Sequence, residues 1–127
     1  MMRVYFDSSA MIYFVEGVSP WASRIQARID AGATMVLSDL TRMECCVLPL
    51  RTGNAALLSR YVAMFSVAEF APITTAVFDR AAHIRAKHGF KTPDAIHLAA
   101  AAESGCDAFL INDARLAPFP DVAVEVV

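Results

Sequence analysis

The run Arg3-Val4-Tyr5-Phe6-Asp7-Ser8-Ser9-Ala10 constrains the fold more than any other: a β-branched and aromatic segment ends abruptly in a carboxylate and two hydroxyls. Val4–Phe6 predicts a short buried strand, and Ser8 or Ser9 is expected to cap the helical pattern that opens at Ala10. Asp7 then stands at the carboxyl end of a first strand, which in open α/β sheets is where ligands bind. An isolated Asp there is explained equally well by capping the helix or meeting its positive dipole end. Its meaning depends on where the other acids fall.

Ser19-Pro20 reads as a cap and a first-turn proline, opening an amphipathic helix with Trp21, Ile25 and Ile29 on one face and a stop at Gly32. Residues 34–37 predict a second strand. Thr41-Arg42-Met43-Glu44 opens a helix expected to break or kink near Pro49. A further helix is expected over 54–65 and a weak strand over 70–73. Thr75 is expected to cap a helix that ends in Arg85, Lys87 and His88 before Gly89. Thr92-Pro93-Asp94 is a cap and first turn leading an alanine-rich helix to Gly105. Residues 108–111 predict a buried strand broken by Asn112-Asp113, and 122–127 a last edge strand. Strands separated by helices imply a mainly parallel sheet with helices on both faces, in one domain spanning 1–127.

Hydrophobic residues make up 57% and charged residues 19%, against a usual ~45–50% and ~25%. That excess of apolar surface points to an oligomer or a partner groove. No run reaches the ~18–20 apolar residues of a membrane span, and Asp7 interrupts the apolar start, so neither a membrane anchor nor a signal peptide is expected. Cys45, Cys46 and Cys106 lack metal spacing and read as buried thiols of a reducing cytoplasm. The formal charge of −2 does not exclude a nucleic-acid partner: setting four metal-bound acids aside leaves nine of 13 against 11 Lys and Arg.

Asp7 and Asp113 each follow an apolar strand, Asp94 opens a helix, and Glu44 is expected in the first turn of the helix after strand two. In a doubly wound sheet all four reach one rim. Each has a structural account as well: Thr41 with Glu44 matches a capping box, Asp94 suits a helix dipole, and Asp113 with Asn112 suits a turn. Four carboxylates converging would repel one another unless their pKa values rise or a cation joins them. A hard divalent ion with oxygen ligands meets that need, and such ions generate hydroxide and stabilise leaving oxygens in phosphodiester hydrolysis.

Phe6-Asp7-Ser8-Ser9-Ala10, Glu44 in its helix, Thr92-Pro93-Asp94-Ala95-Ile96-His97-Leu98-Ala99 and Phe109-Leu110-Ile111-Asn112-Asp113 together resemble a PIN domain, and within that group the VapC-type toxins of prokaryotic toxin–antitoxin pairs. The resemblance runs from residue 3 to about 116. It implies a three-layer α/β/α fold whose five-stranded sheet has the order 3-2-1-4-5. It also implies a Mg²⁺- or Mn²⁺-dependent endoribonuclease using one or two ions, homodimeric, and inhibited by a small VapB-type antitoxin. Carried over by position, Asp7, Glu44, Asp94 and Asp113 are its catalytic and metal-binding carboxylates, with Asp7 shared and another orienting the attacking water. Ser9 and Asn112 match supporting polar positions. Ile111 departs from the Thr or Ser usual before Asn-Asp, which weakens the expectation of a second ion.

Arg42, Lys91 and Arg115 flank the acids and are candidate RNA phosphate contacts, although each reads equally as a solvated surface charge. His97 shares a helix face with Asp94, and either site contact or core burial accounts for it. Tyr13, Phe14 and Trp21 suit an interface or the core. Two other classes remain open. A phosphoacceptor receiver would want an Asp after the third strand and a Lys near the last, and this chain has neither. A catalytically weak or inactive PIN-like interaction module would keep the fold without the reaction.

Overall fold

The computed structural model describes residues 2–127, in the order β1 (Arg3–Phe6), α1 (Ser8–Glu16), α2 (Trp21–Asp30), β2 (Thr34–Leu37), α3 (Asp39–Thr52), α4 (Ala55–Val67), β3 (Glu69–Phe70), α5 (Thr75–His88), α6 (Thr92–Glu103), β4 (Ala108–Ile111), a 3₁₀ turn (Ala114–Leu116) and β5 (Ala123–Val126). The sheet order is β3-β2-β1-β4-β5, and every pairing is parallel. Parallel neighbours need crossovers, and the helices that supply them cover both faces. The expected α/β/α fold and strand order are therefore observed. A receiver would instead follow the order 2-1-3-4-5.

Side chains alternate along a strand, so β1 feeds two cores. Val4 and Phe6 join Met35, Leu37, Ala108 and Leu110 under α1 to α4. Tyr5 joins Val36, Phe109 and Ile111 on the other face, under α5 and α6. Helix α6 comes close because its inner face is Ala95, Leu98, Ala99, Ala100 and Ala101, all fully buried. Small side chains there let the helix backbone approach the sheet. Apolar residues also remain outside, among them Met43, Val47, Leu48 and Leu50 on α3 and Val62 and Val67 on α4.

Several local expectations are corrected. Asp7, rather than Ser8 or Ser9, caps α1, accepting from the Ala10 N–H at 2.9 Å, because a carboxylate at the strand end reaches that donor first. Helix α3 starts at Asp39, so Glu44 lies in its second turn and no Thr41–Glu44 capping box forms. The Thr41 hydroxyl instead donates to the Phe6 carbonyl at 3.3 Å. The helix continues through Pro49 to Thr52, since a proline so near the end removes only one helical bond, and Gly53 (φ 66°) closes it in the left-handed region glycine tolerates.

Thr74 rather than Thr75 caps α5, while Thr92 lies inside α6 after Lys91. Pro20 precedes α2, which begins at Trp21 without a side-chain cap. Strand β3 is only Glu69–Phe70, because the pairing partner β2 ends at Leu37 and Pro72 cannot donate. Cys45 and Cys106 are buried free thiols, but Cys46 is only partly covered.

The tight seat of α6 predicts that Ala99→Leu, which overfills the contact, lowers stability in urea denaturation by about 1–3 kcal/mol. Ala55→Leu, on the exposed start of α4, should stay within about 0.5 kcal/mol of the parent.

Candidate active site

Because all strands run the same way, their carboxyl ends share one rim, and four elements bring an acid there. Asp7 follows β1 directly, Glu44 comes from α3, Asp94 from the first turn of α6, and Asp113 lies two residues past β4. Asp7 is 6% exposed. Burial pushes its pKa from 3.8 to about 6, against the pull of hydrogen bonds from the Ala10 N–H and the Ser9 hydroxyl, and the Asp94 charge adds to the rise. The Ser9 Oγ donates to the two Asp7 oxygens at 2.8 and 3.0 Å. Asp94 is half-buried, and burial raises its pKa, with the charges of Asp113 and Glu44 raising it further against the pull of His97 and Arg115. The carboxylates therefore act on one another across the rim.

Two of the four are compensated by internal partners. Burial raises the pKa of Glu44, but hydrogen bonds from His97 and Ser8 outweigh it and hold the group below its ordinary value. His97 Nε2 stands 2.7 Å from Glu44 Oε1, and Ser8 Oγ donates to the same oxygen at 2.5 Å. Asp113 accepts from the Arg115 backbone N–H at 2.9 Å and from its guanidinium through Nε and Nη2. That pairing keeps its pKa low. Among the described residues, no three His, Cys, Asp or Glu side chains stand close enough together to hold a metal ion. The donor set nonetheless fits a hard divalent cation: the acids offer only oxygens, and burial makes Asp7 and Asp94 costly to ionise without a counter-charge.

His97 joins the site from below. It is 2% exposed, and its Nδ1 lies 2.7 Å from the Tyr5 hydroxyl, which in turn lies 2.7 Å from Ser38 Oγ. One consistent donor order runs from Ser38 to Tyr5 to His97 Nδ1, leaving Nε2–H to donate to Glu44. Sequence placed His97 near Asp94 but did not reveal this chain, because Tyr5 and Ser38 come from β1 and the β2–α3 junction. The DAIH spacing was the only available signal.

The remaining candidates divide. Lys91 lines a cavity with Asp94 and Arg115. Arg42 instead lies over the Phe65 ring, 5.1 Å from its centroid. Asn112 donates to the Tyr13 hydroxyl at 3.0 Å. Ile111 packs in the core beneath α5 and α6. Tyr13 stacks on Trp21 at 4.6 Å.

The PIN domain family model matches residues 4–124. The chain belongs to the PIN domain family. The solved structures that its fold resembles include a toxin–antitoxin complex from Klebsiella pneumoniae, with a TM-score of 0.78 and 21% identity over 94% of this chain and 95% of that one. VapBC2 from Rickettsia felis, bound to a DNA fragment from its promoter, gives 0.75 and 11% over 98% of each chain. VapC20 from Mycobacterium tuberculosis, a sarcin–ricin-loop-cleaving toxin, gives 0.73 and 15% over 94% of this chain and 98% of that one. No curated protein sequence matches. Among the described residues of this PIN domain, no helix is long and apolar enough to cross a membrane.

The raised pKa of Asp7 carries a sign. The folded state holds its proton more tightly than the unfolded chain, so the associated stability is present below pH ~4 and is lost as pH rises through ~6. Asp7→Asn keeps an N-cap acceptor but removes the charge. In urea melts without divalent ions, the variant should lose this pH dependence and exceed the parent at pH 7 by up to about 3 kcal/mol, from the shift of 3.8 to about 6. Strong destabilisation at pH 7 would show that the charge itself is structurally required.

Proposed function

We propose that the chain is a divalent-metal-dependent endoribonuclease, the toxin of a toxin–antitoxin pair. The observation that carries this reading is the placement of Asp7, Glu44, Asp94 and Asp113 along one rim of a PIN-domain sheet, near enough that the charge of Asp94 bears on Asp7 and those of Glu44 and Asp113 on Asp94, so that a cation would have to draw the side chains together. Asp7, Glu44, Asp94 and Asp113 would hold Mg²⁺ or Mn²⁺, one ion or two. Bound there, such an ion would lower the pKa of water and stabilise negative charge on a phosphodiester.

The chain's own groups supply the rest. Asp7 is locked by the Ala10 N–H and the Ser9 hydroxyl, so a carboxylate is held ready in a poorly solvated place. His97 and Ser8 aim Glu44. Asp94, half-buried with a raised pKa, is the carboxylate suited to orient the attacking water and take its proton. Lys91 and Arg115 stand beside Asp94 to receive phosphate oxygens. Of the three predicted RNA contacts Lys91 is the least engaged, because Phe65 receives the Arg42 guanidinium and Asp113 that of Arg115.

Similarity in fold to toxin–antitoxin complexes supports a VapB-type antitoxin as the inhibiting partner. The exposed apolar residues of α3 and α4 give such a partner, or a second copy in a homodimer, surface to cover. Free cysteines suit a reducing cytoplasm. A second reading, a weakly active PIN domain, is favoured by one observation: Glu44 and Asp113 are already compensated by His97 and Arg115.

Calorimetric titration with Mn²⁺ and incubation with total RNA, with and without the ion, test the proposal. The parent should bind Mn²⁺ and give discrete fragments only with it, and Asp94→Asn should do neither. His97→Gln, which leaves every ligand in place, should weaken Mn²⁺ binding by about tenfold through loss of Glu44 alignment. Mn²⁺ binding without any cleavage by the parent would support the weakly active reading, and no binding at all would leave the acids with structural roles alone.

A further inference from the structure

The short connection between α5 and α6, Gly89-Phe90-Lys91, forms one wall of a cavity of about 360 Å³ that opens beside Asp94. His88, Phe90, Lys91, Asp94, Arg115 and Leu116 line it. A volume of that size falls at the lower end of small-molecule sites, ~300–1,000 Å³. Three kinds of surface meet there. The rings of His88 and Phe90 lie nearly parallel, 7° apart with centroids at 5.0 Å. The buried Phe119 meets His88 edge-on at 5.8 Å and holds the pair in place. Arg85 fixes the connection by donating to the Phe90 carbonyl at 2.9 Å. Lys91 supplies positive charge, an Arg115 side chain that is 72% exposed adds its guanidinium although Asp113 already pairs with it, and Asp94 joins the cavity to the acidic rim.

Cations alone would suit any anion, an acidic peptide included. A planar aromatic pair in the same cavity selects for a flat partner as well, and a nucleotide is both flat and anionic. Resting on the ribonuclease reading above, we propose that this cavity seats one unpaired nucleotide of the RNA strand adjoining the scissile phosphate. Its base stacks on the Phe90–His88 pair and its phosphate meets Lys91 and Arg115. A base can enter only when it is free of its complement, so the site selects a loop or single strand at the cut. Stacking accepts any base face, so the selection is for strandedness more than for sequence.

The test is anisotropy of a fluorescent single-stranded oligoribonucleotide in EDTA, where no cleavage occurs. Phe90→Leu keeps apolar bulk without an aromatic face and should weaken binding by about tenfold, whereas Phe90→Tyr should stay within about twofold. Mn²⁺ affinity should be unchanged in both, and a duplex of the same sequence should bind more weakly and ignore the substitution. As a measurement that needs no variant, 2-aminopurine walked along the oligonucleotide should be quenched at one position on binding to the parent protein.

Equal affinity of parent and Phe90→Leu, loss in Phe90→Tyr as large as in Phe90→Leu, or no quenching at any position would each overturn the proposal. If the parent cuts RNA with Mn²⁺ while Phe90→Leu binds and cuts equally well, the cavity assignment fails and the ribonuclease reading stands. If Phe90 governs binding as expected but neither Mn²⁺ binding nor cleavage occurs, the ribonuclease reading fails while the nucleotide site remains.

Discussion

The structure depends on the burial of a carboxylate at the end of its central strand. β1 is flanked on both sides, its Val4, Tyr5 and Phe6 are fully covered, and the chain must leave the sheet at Asp7 with little water to solvate it. The Ala10 N–H and the Ser9 hydroxyl meet part of that need. They do not remove the cost of the charge, as the raised pKa of Asp7 records. One residue thus ties three levels together: it ends the strand, starts α1 as its cap, and leaves an incompletely compensated negative charge at the switch point between β1 and β4. Capping and site membership, which compete as explanations of an isolated Asp, are here the same geometry.

Around that charge the protein arranges unequal compensation. Glu44 is drawn to a histidine that is itself oriented by Tyr5 and Ser38. Asp113 takes the guanidinium two residues on. Asp94 has no such direct bond, although the charges of His97 and Arg115 reach it, and its own charge acts on Asp7 while it feels Glu44 and Asp113. The two raised carboxyls therefore sit between two settled ones. Pairing thus spares two of the acids the cost of their charge and leaves that cost with the other two.

Much of this was legible in the residues. Apolar runs of three or four residues alternating with helical patterns give a parallel sheet, because no short turn can return a chain to a parallel neighbour. The order of the acid-bearing segments along the chain carried the PIN resemblance, and the family match to residues 4–124 agrees with it. What sequence misplaced were boundaries and caps. Thr41 and Glu44 have the spacing of a capping box, yet the Thr41 hydroxyl finds the Phe6 carbonyl and Glu44 finds His97. Both partners lie on other elements, so local pattern could not reveal them. Arg42 was similarly drawn to Phe65 of α4, a contact with no local sequence sign.

The sequence by itself determined which residue types end each strand and begin each helix, because those choices follow from backbone donors, strand length and apolar periodicity within a few positions. It therefore decided that acids would gather at one end of the sheet. Only the tertiary structure decided how those acids are treated: which is buried, which is paired, and which faces a cavity with aromatic and basic walls. Burial and pairing depend on groups scores of residues apart, as His97 is from Tyr5 and Glu44. Those distances close only when the sheet and its two helical layers are assembled.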